Sequence, residues 1–425
     1  MLKRTIFMAF SLAMGAHATN ITTLLDTLER RPEYTLDLLD VQKSALGKEA
    51  VVDKLLPQLN LYGGYEASSV PTGMIPVPPN TLIGMVKDQS VGQPFSKHIF
   101  REGVSFTWPI FVKSLYTLKE KARLLHMAAK DKQRLSLIQR EAAVVGAVAQ
   151  LRYLESFKNA LNAKKRSIIQ TQRTTRIKVK AGRAPQSALF VLNSHINDLD
   201  IAMNTVDQNI NLITSKIETF TGVHLTHSIP LRTKASIKKG EIFALKPLEK
   251  RVKARKRGVK AAREAYYPTI VTKGNYTLSQ ADAYNNDKGL HESYGTAGIY
   301  VNMPLFDASK STASEQAKVA YLREKTTLDQ TAHALKTEAK QIEREITLLE
   351  TSVSLAHKSV KEQQRLLKIA KVSLQNGTIT EEEYLRYEDA LADAKANAYK
   401  AISKLWQDRA QLAVIYGNDL RSIVK

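Results

Sequence analysis

The residues best equipped for chemistry are charged and clustered. Glu381, Glu382 and Glu383 lie four to six residues after Gly377, with Arg386 close behind. Three carboxylates at a helix start complement its dipole, and Thr380 with Glu383 three residues on reads as a capping box. Two basic stretches stand apart. No acidic residue lies between Glu155 and Asp198, where Lys158, Lys164, Lys165, Arg166, Arg173, Arg176, Lys178, Lys180 and Arg183 all fall, and 246–263 holds nine more Lys and Arg against Glu249 alone. Such runs form solvated faces or surfaces that steer an acidic partner. Catalytic patterns are missing. The nine His form no His-x-x-x-His pair, and neither a phosphate-binding Gly-x-x-x-x-Gly-Lys nor a Gly-x-Ser-x-Gly elbow occurs. Cysteine is absent, which removes disulfides, thiolate metal sites and a thiol nucleophile. No catalytic, cofactor-binding or metal-binding residue is expected, and the chain does not read as an enzyme.

The elements around these residues follow from composition and periodicity. The chain has 425 residues, is 43% hydrophobic and carries a formal charge of +22. That length favours two domains or two repeats. The basic balance first suggests nucleic acid, but the N-terminus argues for export. Lys3 and Arg4 precede an apolar run from Ile6 to Met14, and Ala16-His17-Ala18 is a small-residue cleavage site. Residues 1–18 read as a signal peptide, so nucleic acid is not an expected partner. No later stretch is apolar enough for a transmembrane helix, so any entry into a membrane must use strands.

A repeat organises the rest. Pro109 and Pro304, Gly182 and Gly377, and Gly222 and Gly417 are each separated by 195 residues. The pair Pro57 and Pro268 is offset by 211, which places sixteen more residues in the first copy, where it reads VPTGMIPVPPN. The first structural repeat is 19–222 and the second 223–425. Each reads as helix, strand, loop, strand, very long helix, glycine turn and second helix. In the second long helix Leu328, Ala332, Leu335, Ala339, Ile342, Ile346, Leu349, Val353, Ala356, Val360, Gln363, Leu367, Ala370 and Leu374 alternate in steps of four and three, a coiled-coil period. The first copy holds the same register less well, because Lys158 and Lys165 interrupt it. At 1.5 Å per residue, about 67 helical residues reach roughly 100 Å. A plain coiled-coil rod, or a periplasmic coiled-coil adaptor, shares this periodicity.

Strands are expected at about 57–68 and 97–109 in the first copy, and at about 268–280 and 293–304 in the second. Phe100, Val104, Phe106 and Trp108 alternate with Arg101, Gly103, Ser105 and Thr107, a period of two. Glu102 alone breaks the apolar set. Strands of this length cross a bilayer when tilted, with apolar residues toward lipid. Four strands cannot close a barrel, and an open edge is not tolerated in lipid. Three protomers would pool twelve strands; two would pool eight, a bore filled by side chains.

The chain resembles the TolC family of outer-membrane efflux proteins. The residues that carry the resemblance are the signal peptide, the paired architecture, the LPQL and YPT strand openings, the WPIF and MPLF strand-to-helix junctions and the turns at Gly182 and Gly377. It implies a mainly α fold with a β-barrel part. A homotrimer would share a twelve-stranded barrel in the outer membrane and a long antiparallel coiled-coil α-barrel in the periplasm. It further implies a passive exit duct for drugs, toxic small molecules or secreted proteins, energised by an inner-membrane pump through a periplasmic adaptor. The turns at Gly182, Arg183, Gly377 and Thr378 would be the adaptor-contact tips. Glu383 and Arg386 would stand at the entrance constriction, where one carboxylate per protomer favours cations and the Arg, a departure from the family's acidic pattern, blunts it. The family's gate also bonds an Asp to a Tyr and an Arg. Here those positions are Ala188, Leu374 and Ile379, so either the entrance is held shut differently or the alignment shifts there.

Overall fold

The computed structural model describes residues 20–425; the signal peptide expected at 1–18 lies outside the described residues. In chain order the elements are α1 (Ile21–Asp26), α2 (Pro32–Asp53), β1 (Gln58–Gly73), α3 (Pro79–Lys87), β2 (Phe95–Val112), α4 (Lys113–Lys180), α5 (Ser187–Thr221), α6 (Lys246–Glu264), β3 (Thr269–Asp282), β4 (Gly289–Asn302), α7 (Ala308–Gln375) and α8 (Glu381–Tyr416). The fold is mainly helical with one sheet. Two compact units divide it. One takes the residues up to Asp40 with Lys130–Pro247 and Asp329–Lys425; the other takes Val41–Ala129 and Leu248–Leu328. Each unit therefore draws on both halves of the sequence.

The first unit is built from two antiparallel hairpins, α4 with α5 and α7 with α8. Helices α4 and α7 each have 68 residues. Along α7 every seam residue from Leu328 to Leu374, Gln363 included, is buried or half-buried, while the intervening positions are mostly exposed. The 3.5-residue period explains this, since it keeps one stripe against a neighbour. The two lysines that interrupt the seam in α4 are neutralised across the hairpin: Lys158 reaches Asp207 of α5 at 2.6 Å and Lys165 reaches Asp200 at 2.5 Å. Near the chain ends the hairpins share a core in which Ile21, Leu24 and Leu25 pack with Val144, Val148, Leu151, Ile217, Ala413 and Leu420.

One charged group is sealed beside that core. Glu141 of α4 has no exposed surface. The backbone N–H of Leu420 donates to its Oε2 at 3.0 Å, and Arg421 Nε lies 3.1 Å from its Oε1. Arg421 also reaches Glu29 at 2.6 Å, Asp419 at 3.4 Å and Asp26 at 3.6 Å. Burial, with the Asp419 carboxylate alongside, pushes Glu141 up to about 7; the Leu420 N–H and the Arg421 guanidinium offset only part of this.

The second unit holds an antiparallel sheet in the order β1-β2-β3-β4. β1 and β2 run further toward the loop than expected, and the pairing of β1 with β2 shifts between Ala67 and Thr72. β2 runs through Pro109 to Val112 by way of a register shift at Pro109 and Phe111, the kind of irregularity at which a strand tolerates proline. β4 stops at Asn302, before Met303 and Pro304. The two Pro-containing junctions thus end their strands differently.

The two faces of the sheet differ in kind. Leu61, Val104, Tyr276 and Gly295 stand in one row across the four strands, and Leu61 and Val104 are 84% and 36% exposed. Leu59, Phe100, Trp108, Ile299 and Val301 share that face and are also exposed. The other face carries Arg101, Gly103, Thr277 and Ser279, and of these Gly103, Thr277 and Ser279 are buried. Arg101 there donates to the backbone carbonyls of Gly73 and Met74 at 2.8 and 2.9 Å and pairs with Glu66 at 3.0 Å. A sheet folding in water would cover its apolar face and expose its polar one; this sheet does the reverse.

Gly103 is required by a close approach. It sits between Tyr62 and Thr277 in the register, and the Tyr62 hydroxyl lies 2.5 Å from Thr277 Oγ1. A Cβ at Gly103 would meet the Tyr276 backbone carbonyl first and the Tyr62 hydroxyl at 2.7 Å. Gly103→Val is expected to push against the β3 backbone as well as the phenol and to cost about 3 kcal/mol. Tyr62→Phe, which keeps the ring and loses one hydrogen bond, is expected to cost about 1 kcal/mol. Thermal loss of the strand signal in circular dichroism orders the two; equal stability of Gly103→Val and the unaltered chain contradicts the contact.

Candidate functional site

The glycine turns of the two hairpins are built alike. Gly182 and Gly377 have φ of 70° and 71°, the left-handed region that glycine enters without penalty. Arg183 N–H donates to Lys178 O at 2.8 Å and Gly182 N–H to Val179 O at 3.0 Å; Thr378 N–H donates to Ser373 O at 2.9 Å and Gly377 N–H to Leu374 O at 3.0 Å. Both are helix ends whose spare carbonyls are met by the turn itself. Arg183 and Thr378 are exposed, and nothing lies within 4 Å of a Cβ built on either glycine. Both turns are closed by backbone hydrogen bonds and stand exposed.

Two of the three acidic residues are satisfied locally. Thr380 Oγ1 accepts from Glu383 N–H at 3.2 Å, and Glu383 Oε2 accepts from Thr380 N–H at 2.8 Å, which completes the expected capping box. The Thr380 backbone and hydroxyl hold the Glu383 carboxyl below its ordinary range, with a smaller effect from Arg386. Arg386 bonds Glu382 at 2.8 Å rather than Glu383. Glu381 accepts from Gln170 of α4 at 2.9 Å, a contact between hairpins that nothing in the local sequence announced.

The first basic stretch divides in two. Lys158, Lys165 and Arg166 are consumed by Asp207, Asp200 and Glu388. Toward the turn, Arg173, Arg176, Lys178, Lys180 and Arg183 are exposed, and among the described residues they form no salt bridge. One titratable group was passed over in sequence. Asp389 of α8 is half-buried, and burial with Asp393 four residues on raises it above the usual aspartate range despite Lys164 nearby. The like-charged i, i+4 spacing was the available signal.

Among the described residues no group of three His, Asp or Glu side chains is placed to hold a metal ion, and no helix is long and apolar enough to cross a membrane.

Residues 241–418, from just before α6 to the end of α8, match the outer membrane efflux protein family. This part of the chain is similar in sequence to outer membrane efflux proteins. The fold of the whole chain agrees. It is similar to the Campylobacter jejuni CmeC outer membrane channel with a TM-score of 0.72, at 14% identity over 94% of this chain and 86% of that one. The outer membrane protein VceC of Vibrio cholerae gives 0.70, at 12% identity over 93% and 96%. The open state of the Neisseria gonorrhoeae MtrE outer membrane channel gives 0.68, at 15% identity over 95% and 90%. No curated protein matches the sequence closely enough to report. The likeness to outer membrane efflux proteins thus rests on sequence over residues 241–418, and over the remainder on the fold alone.

Proposed function

We propose that this chain is the outer-membrane exit duct of a tripartite efflux or type I secretion system. It conducts drugs, toxic small molecules or secreted proteins passively across periplasm and outer membrane, energised by an inner-membrane pump through a periplasmic adaptor. The observation that carries this reading is the inverted sheet. Its apolar face is exposed, and β1 and β4 pair on one side only among the described residues. Both features are costly in water and both are resolved when three copies pool their strands into a closed twelve-stranded barrel in lipid. A coiled-coil rod or adaptor has no use for such a sheet. The duplicated hairpins then form the periplasmic α-barrel, with Gly182, Arg183, Gly377 and Thr378 at the adaptor-contact tips and Glu383 and Arg386 near the entrance.

The test is fractionation of expressing cells followed by the native mass of the detergent-extracted protein. Recovery from the outer membrane at three times the mature chain mass is expected; a soluble periplasmic species overturns the duct. For the entrance, Glu383→Ala is expected to lower the cation selectivity of the reconstituted pore in single-channel recordings. Unchanged selectivity would leave Glu383 as a helix cap alone.

A further inference from the structure

In the sheet-bearing unit, α4, α6 and the first turns of α7 enclose an open groove of about 750 Å3. Its apolar lining comes from Leu124, Val259, Tyr321 and Leu322. Its charged lining is almost wholly cationic: Lys253, Lys256, Arg257, Lys260, Arg263 and Lys318. The one carboxylate in it, Glu120, is engaged by Arg123 through two bonds of 2.8 Å and lies within electrostatic reach of Arg257, while Lys318 pairs with Glu315 at 3.5 Å.

The cations of α6 exceed what the surrounding carboxylates neutralise. Arg251 and Arg255 share Glu324, and Lys260 lies 3.8 Å from Glu264. Lys253, Lys256, Arg257 and Arg263 form no salt bridge among the described residues. Crowding shows in a neighbour. Lys121 lies across Gly258, with Nζ 3.5 Å from where a Cβ would stand, and lost hydration together with Arg255 lowers its amine below the usual lysine range.

The position in the fold does not demand this charge. α2 stands before β1 as α6 stands before β3, yet α2 carries Glu33, Asp37, Asp40, Glu49 and Asp53 against Lys43 and Lys48 only. Nor is α6 waiting for a neighbouring helix at its flanks. α4 covers one side through the Thr117–Glu264 hydrogen bond, and α7 covers the other through Glu324.

We propose that the groove binds an anionic amphiphile, with a phosphate, sulfonate or carboxylate head on the lysines and arginines and an apolar tail along Leu124, Val259, Tyr321 and Leu322. Charge-assisted bonds fix the head, and the apolar strip rewards a chain of several carbons. Resting on the duct reading, this occupant is cargo, and the groove names its chemical class.

Calorimetric titration of octyl phosphate into the purified full-length chain in uncharged detergent tests it, with inorganic phosphate and octyl glucoside as comparisons. Octyl phosphate is expected to bind at least about tenfold more tightly than either. Lys256→Glu combined with Arg257→Glu is expected to weaken it about tenfold or more. Leu322→Ser is expected to weaken octyl phosphate while leaving inorganic phosphate unchanged, and Lys256→Arg to retain binding. Circular dichroism confirms that each variant is folded, and Lys256→Gln replaces the double variant if that one is not. No binding, binding indifferent to the charge changes, or inorganic phosphate as tight as octyl phosphate overturns the proposal. The assay requires no transport. An intact outer-membrane trimer that ignores octyl phosphate removes the site and leaves the duct, whereas a soluble species that binds it removes the duct and leaves the site.

Discussion

Val104→Arg is expected to abolish assembly in the outer membrane, while Ser105→Arg, one residue away, assembles. Val104 is central in β2 and lies on the exposed apolar face, level with Leu61 and Tyr276. An arginine at the middle of a lipid-facing strand costs about 2–4 kcal/mol, and a trimer would meet that cost three times over. Ser105 points the other way, in the row of Asn60 and Asn275, where a charge meets polar groups and water. Heat-resistant oligomer on a semi-native gel, from isolated outer membranes, reads the difference. If both variants assemble equally, the apolar face does not meet lipid.

Arg421→Ala is expected to be the most damaging single change in the helical unit at pH 8, and much less damaging at pH 5. Among the described residues it removes the only cation in contact with Glu141, which is fully buried. Breaking a buried pair from one side costs about 3–5 kcal/mol when the orphan stays charged. Glu141 has its pKa raised from 4.5 to about 7, so it binds a proton in the folded state at pH values where the unfolded chain has lost it. Its contribution to stability is therefore fully present below about pH 4.5, falls as pH rises and is gone above about pH 7. Holding it ionised at pH 8 costs about 3 kcal/mol, and loss of the guanidinium raises that cost. Glu141→Gln removes the titration, so the double variant with Arg421→Ala is expected to show a melting temperature nearly independent of pH between 5 and 8. A single Arg421→Ala variant whose loss is the same at both pH values contradicts the account.

How much of this was legible beforehand varies with the range of the interaction. The seam of α7 could be read because a period of 3.5 is a property of one helix, and each residue from Leu328 to Leu374 needs only its neighbours to declare its side. The Thr380–Glu383 box and the left-handed glycines are equally local. The lysines at 158 and 165 were visible as interruptions, but Asp207 and Asp200 that answer them lie on the returning helix, so they read as surplus charge. The strand ends were blurred for a related reason: Pro109 sits inside β2 because a register shift accommodates it, and Pro304 does not enter β4.

By itself the sequence determined the helical and strand periods, the Thr380–Glu383 capping box and the glycine turns. These depend on residue type and on spacing within a few turns of chain. Tertiary structure alone decided which charges are spent and which remain. It buried Glu141 beside Arg421 from the far end of the chain, tied Gln170 to Glu381, left the turn-proximal arginines and lysines exposed, and left the cations of α6 around an apolar groove. Charge balance is a sum over neighbours in space, and no window along the chain contains those neighbours.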